Sequence, residues 1–280
     1  MNVTKAELDS FTNVLFQKYG FDFTCYEPQS LLRRVNRVLH VFKVNSVHEL
    51  WIMMLHDRNL VYSFMDQISV GLTSMFRDPQ VWIELKKLLS RYSVDRKIRV
   101  WNAGCSTGEE VYTLAILLDE INLLDNVDIL ATDMNQTAME EAKKGVYHKV
   151  KMLDYEKNYK AFNKFSSFSR YYDTDDKHII MKDYLLKNVR FQYHNLITDT
   201  FPGEFDFIFN RNVLIYFDQR MKEVLVNKFY NHLKPEGYYI MGFYDSMLSD
   251  QQKQKYNTTL SNLRVFSKNP IPQDISQVSA

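Results

Sequence analysis

KIRVWNAGCSTGEEVY, residues 97–112, is the stretch that decides the fold. Ile98-Arg99-Val100-Trp101 has the β-branched and aromatic content of a short strand. Gly104 and Gly108 lie in the loop that follows, and a helical spacing of apolar residues opens just after Glu109-Glu110. Strand, glycine loop and helix make the first unit of a parallel α/β sheet. The loop at the strand's carboxyl end is where such sheets take nucleotide-like ligands. Glycine lets the backbone turn there and lets a ligand approach it with no Cβ in the way.

Working outward, the same alternation continues. Strands are predicted at Val127–Thr132, Val189–His194, Phe205–Phe209 and Tyr238–Phe243, with Arg264-Val265-Phe266 pairing near the last. Helices are predicted at Gln136–Lys144 and Gln219–Leu233, the second stopped by a turn at Pro235-Glu236-Gly237. Segment 147–188 breaks the pattern and reads as an inserted subdomain with a hairpin around Asp173-Thr174-Asp175-Asp176. Upstream, residues 1–90 show only helical periodicity: Glu7–Tyr19, a helix capped by Ser30, one after Ser46, and Arg77–Tyr92. The reading is a helical N-terminal domain (1–90), an α/β domain (91–268) and a flexible tail (269–280).

Composition narrows the function. The 280 residues carry 35 basic and 34 acidic side chains, so bulk electrostatics give no reason to expect nucleic-acid binding. Two cysteines cannot build a disulfide framework or a four-thiolate zinc site. His40, His48 and His56 recur at intervals that drift around a helix, so no metal site is expected. No apolar run approaches the roughly 18 residues of a membrane span, and no signal peptide opens the chain. A soluble, cytoplasmic protein is expected. Only 8 glycines occur, so two in one loop carry weight.

The loop's chemistry selects its ligand. It reads G-x-x-x-G followed at once by two glutamates, not the dinucleotide G-x-G-x-x-G. A pyrophosphate wants a helix N-terminus without negative charge. Two carboxylates suit a cationic ligand instead, and S-adenosylmethionine (SAM) has a sulfonium, an amine and a ribose but no phosphate. Asp133 ends the second strand, 25 positions after Gly108, where an acid accepts hydrogen bonds from ribose hydroxyls. Either glutamate could instead serve only the helix dipole. Cys105 reads as a small packing residue.

GLTSMFRD (71–78), NAGCSTGEEVY (102–112), ATDMN (131–135), HNL (194–196) and NRNVLIYFD (210–218) together resemble the CheR-type chemotaxis receptor methyltransferases, in order from about residue 10 to 268. The resemblance implies a class I SAM-dependent methyltransferase (Rossmann-like) domain carrying a small antiparallel β-subdomain, preceded by an all-α domain. It implies methylation of glutamate side chains on chemoreceptors, with S-adenosylhomocysteine (SAH) as product. Carried over by motif, Thr73 and Arg77 fall on the family's N-x-T-x-x-x-R pattern. Gly104, Glu110, Asp133, Asn195, Leu196, Arg211 and Asn212 take cofactor positions, and Tyr216 joins Arg77 near the reacting groups. Gly71 departs, standing where the family has asparagine, which removes one side-chain contact to the cofactor. The helix bearing Arg33, Arg34 and Arg37 matches the one implicated in docking on the receptor's helical bundle. The stretch 170–176 contains no glycine, which predicts recognition without a receptor C-terminal tether. A monomer is expected. Two alternatives remain at this stage: a non-catalytic SAM/SAH-binding regulator, and a methyltransferase with another acceptor.

Overall fold

The computed structural model describes residues 3–57, 59–68, 73–92, 96–245, 249, 252 and 254–268. Gly71 and the 269–280 tail lie outside the described residues. Four helices come first: α1 (Lys5–Tyr19), α2 (Pro28–Phe42), α3 (Val47–His56) and α4 (Asn59–Ile68). Then follow α5 (Pro79–Leu89), β1 (Ile98–Ala103), α6 (Glu109–Glu120), β2 (Val127–Asp133) and α7 (Gln136–Lys144). The insert holds β3 (Val146–His148), α8 (Met152–Phe162), β4 (Tyr172–Thr174) and β5 (His178–Met181). The chain closes with β6 (Val189–Tyr193), β7 (Phe205–Asn210), α9 (Gln219–His232), β8 (Leu233–Met241), β9 (Tyr256–Leu260) and β10 (Val265–Lys268).

The main sheet has the order β6-β2-β1-β7-β8-β10-β9. The first five strands are parallel, and β10 runs antiparallel to both its neighbours. This is the class I methyltransferase arrangement. Chain order reverses between β1 and β7, so the switch point lies at the carboxyl ends of those strands. Successive strand residues supply opposite faces. Trp101, Leu130, Ile208 and Tyr239 join α1–α4 and α9 in one core, while Val100, Ile129, Phe207 and Ile240 join α5, α6 and α8 in the other. Trp101 is fully buried among Phe201, Phe205 and Phe229, and its indole N–H donates to Thr132 Oγ1 at 2.9 Å. Burying such a ring stabilises the fold by about 3 kcal/mol, and the indole bond avoids an unsatisfied donor.

Several boundaries differ from the sequence reading for local reasons. Helix α2 begins at Pro28, and its cap is the carboxylate of Glu27, which accepts from the amides of Gln29 and Ser30. Proline fits the first helical position, where no amide partner is needed. Helix α5 starts at Pro79, not Arg77, because proline disfavours the α conformation in the residue before it; Asp78 adopts φ +57°. Pro235-Glu236-Gly237 lies inside β8. Glu236 at φ +62° marks an irregularity where the register with β7 slips between Phe205 and Phe207. Helix α4 and strand β9 were not read from the sequence. The hairpin around Asp173–Asp176 is present as β4 and β5, in a three-stranded antiparallel sheet with β3.

Candidate active site

One cavity of about 430 Å³ opens at the carboxyl ends of β1, β2, β6 and β7, in the range of small-molecule sites. Thr73, Arg77, Gly104, Glu110, Asp133, Asn195, Leu196, Arg211, Asn212 and Tyr216 all line it. Every candidate site residue named from the sequence is therefore brought together, apart from Gly71, which is outside the described residues. Tyr26, Arg34, Asp66 and Gln67 also line it, so α2, α4 and the segment before α2 form part of its wall.

The β1 loop sets the floor. Gly104 has φ +94°, and a Cβ there would collide with Val213. Its amide and that of Cys105 donate to the Thr132 carbonyl. Asp133 takes the Ser106 amide at 2.8 Å and the Asn135 amide at 2.8 Å. Burial nevertheless pushes its carboxyl above the ordinary value. The Met134 amide also bonds this carboxylate, which leaves at least one of its four acceptor positions open. Cys105 packs against Val111, Ala131 and Met139, and burial pushes its thiol well up, so it is inert packing.

The two glutamates divide the labour. Glu109 is fully buried and turns away from the cavity. It accepts from Thr107 Oγ1 at 2.6 Å, Tyr155 Oη at 2.8 Å and Lys151 Nζ at 2.8 Å, which ties the β-subdomain to the loop. Glu110 lines the cavity and accepts from Asn102 Nδ2 at 2.9 Å and Arg211 Nη1 at 2.7 Å. Arg211 also reaches Asp78 Oδ2 at 2.6 Å and the Arg77 carbonyl at 3.2 Å, its guanidinium 5.5 Å from the centre of the Trp82 ring. Its side chain is 2% exposed, so its two carboxylate partners are what make its burial tolerable.

Arg77 sits in a tightly held turn. Phe76 has φ +51° and Asp78 φ +57°. The Phe76 amide donates to Thr113 Oγ1, the Trp82 indole donates to the Arg77 carbonyl, and the Phe76 ring is stacked on Phe162 at 4.8 Å. Such strained dihedrals persist only where surroundings over-determine them. Tyr216 faces the same cavity from the loop after β7. The Arg34 guanidinium lies 4.1 Å from the centre of its ring. Burial pushes the Tyr216 phenol up, and the charges of Arg34 and Arg77 oppose that rise. The Tyr216 carbonyl accepts the Glu27 amide, and the Asp218 amide donates to the Cys25 carbonyl, so this loop is laced to the segment ahead of α2.

Arg34 is a correction. Charge alone groups it with Arg33 and Arg37, but only those two are exposed. Arg34 is turned inward, donating to the Ile68 carbonyl at 3.0 Å. A signal for this was available, because residue 34 lies three after Leu31 and four before Val38, on the edge of the apolar stripe. Asp245 was missed too. Its carboxylate accepts amides from the Asn212 loop, and no spacing rule marks it.

The description "CheR methyltransferase, SAM binding domain" matches residues 71–262, and "CheR methyltransferase, all-alpha domain" matches residues 6–69. The chain belongs to the CheR methyltransferase family. A CheR relative from Pseudomonas putida, bearing the name Cher3, is 32% identical over 266 residues, covering 95% of this chain and 97% of that one. The chemotaxis protein methyltransferase of Borreliella burgdorferi is 31% identical over 259 residues (86% and 88%), and that of Listeria innocua 31% over 242 (85% and 89%). The CheR cofactor is SAM, and the cavity suits it. Glu110 and Asp133 place two carboxylates on its wall, and Gly104 leaves the backbone approachable. The Asn212 Nδ2 is buried against Gly242 with no hydrogen-bond partner among the described residues. No helix among the described residues is long and apolar enough to cross a membrane, and none of their acid, histidine and cysteine groupings could hold a metal.

Proposed function

We propose that this CheR protein transfers the methyl group of SAM to glutamate side chains of chemoreceptors, giving methyl esters and SAH. The convergence of Arg77 and Tyr216 on one cavity with Glu110, Asp133 and Arg211 carries the reading. SAM supplies an electrophilic methyl on a sulfonium. A free glutamate, with a pKa of about 4.3, is already ionised at neutral pH, so the residues need not remove a proton. Their work is binding, orientation and exclusion of water. Glu110 and Asp133 hold the amine and ribose ends of the donor, Asn195 and Leu196 its adenine end, and Thr73 and Asn212 its flanks. Arg77 pairs with the incoming carboxylate, and the Tyr216 hydroxyl donates to it.

Exposed Arg33 and Arg37 on α2 supply a basic surface for an acidic receptor bundle. Recognition proceeds without a C-terminal tether, and the protein acts as a monomer. Labelled SAM, purified protein and a receptor cytoplasmic fragment test the activity. Base-labile label on receptor glutamates is the expected result. SAH binding by calorimetry with no transfer would instead indicate a regulator, and transfer to something other than a receptor would relocate the acceptor.

A further inference from the structure

Asp245 sits behind the active-site loop, not in the cavity. It is 2% exposed. Its Oδ2 accepts the Asn212 amide at 2.8 Å and the Gly242 amide at 2.8 Å, and its Oδ1 accepts the Ile215 amide at 3.2 Å. One carboxylate thus gathers three main-chain donors from the ends of two parallel strands, β7 and β8. The turn it holds is tight. Asn212 is held at φ +60°, and Gly242 lies so close that a Cβ would collide with the Asn212 amide nitrogen. On the other side of this loop, Asn212 and Tyr216 line the donor cavity.

We propose that Asp245 is a positioning residue for methyl transfer, clamping the 212–216 loop so that Asn212 and Tyr216 are held at the donor cavity. The clamp rests on the assignment of those two residues to the site. A carboxylate fits the role because both its oxygens accept, and a carboxylic acid or amide would turn one donor toward an amide N–H. Arg211 is the cation that favours its ionised form, and the Tyr216 and Tyr239 hydroxyls are the other titratable groups that feel its charge. Burial opposes ionisation and pushes the carboxyl up to about 6. The acceptor glutamate titrates well below this, so loss of activity with a midpoint near 6 would belong to the enzyme.

The test compares wild type with Asp245→Asn across about pH 5 to 8, following receptor methylation, SAH affinity and the amide nitrogen shifts of Asn212, Ile215 and Gly242. The three amides are expected to titrate together near pH 6, with kcat falling at the same midpoint. Asp245→Asn is expected to lose that acid limb and to lower kcat by at least about tenfold at pH 7.5, with a smaller rise in the KM for SAM as Asn212 loosens. A variant with wild-type kcat throughout, or one whose Asn212, Ile215 and Gly242 amide shifts at pH 7.5 match those of wild type, overturns the clamp. Asp245→Glu keeps a carboxylate and judges the clamp if Asp245→Asn fails to fold: displaced Asn212, Ile215 and Gly242 amide shifts with lowered kcat support it, and wild-type shifts with wild-type kcat overturn it. The amide shifts need no receptor, so they stand if the acceptor is not a receptor glutamate.

Discussion

Arg77 and Asp245 do opposite things with their side chains, and substitutions should separate them. Arg77 has its carbonyl fixed by Trp82 and Arg211, so the backbone turn does not depend on its guanidinium. Arg77→Ala is expected to lower kcat on the order of a hundredfold, the usual effect of removing one charge-stabilising donor. Thermal unfolding should shift by about 1 kcal/mol or less. Wild-type turnover in that variant would remove Arg77 from the chemistry. For Asp245 the sign of the pH dependence follows from its raised carboxyl. Between the ordinary value of 3.8 and about 6, the unfolded chain has ionised this group and the folded chain has not. Folding stability from this site is therefore present below 3.8 and lost as pH rises through 6. Asp245→Asn has no such loss, so its melting temperature relative to wild type should climb between about pH 4 and 7. A difference independent of pH would mean that Asp245 titrates normally. Residues like these show how far sequence reading reaches. Glu110 and Asp133 were legible because they follow glycine loop and strand at fixed offsets. Asp245 was not, because its partners are backbone amides brought near only by the pairing of β7 and β8.

Among the elements, α2 shows where periodicity informs and where charge misleads. Of the apolar residues at helical spacing, Leu31, Val35, Val38 and Leu39 are buried, while Leu32 and Phe42 are only partly buried against the same core. The family resemblance assigns docking to the whole helix with its three arginines, but only Arg33 and Arg37, four apart, share a face, while Arg34 points about 100° away from Arg33. Charge reversal at Arg33 and Arg37 should weaken receptor binding and flatten its salt dependence, while SAH affinity stays within about twofold, since neither residue lines the cavity. Equal loss of both affinities would show that the helix itself had moved. Helix α4 escaped notice for a different reason. It has ten residues, with Asp57 accepting the Asn59 amide at its start and no acidic first turn or basic last turn. Strand β9 is short and polar, and it is defined by its antiparallel pairing with β10 rather than by its own pattern.

At the scale of the whole molecule, the α/β order was legible because each unit announces itself locally, while the closure of the cavity was not. Tyr26, Arg34 and Asp66 reach it only because α1–α4 share a core with one face of the sheet. SAH at a hundred times its Kd should therefore stabilise the protein by about 2.7 kcal/mol. It should also slow hydrogen exchange in α2 and α4, not only in the sheet loops. Exchange unchanged in those helices would place the ligand away from them. Arg34 inside and Arg33 and Arg37 outside have a thermodynamic consequence. One helix, α2, meets the cavity on one side and the surroundings on the other. Any partner that tilts that helix changes the affinity for SAM and SAH by some factor, and each of those must change the partner's affinity by the same factor. Spent product would then act on more than the cavity it occupies: by holding the helix in one pose, it would help set how long the enzyme stays with its target.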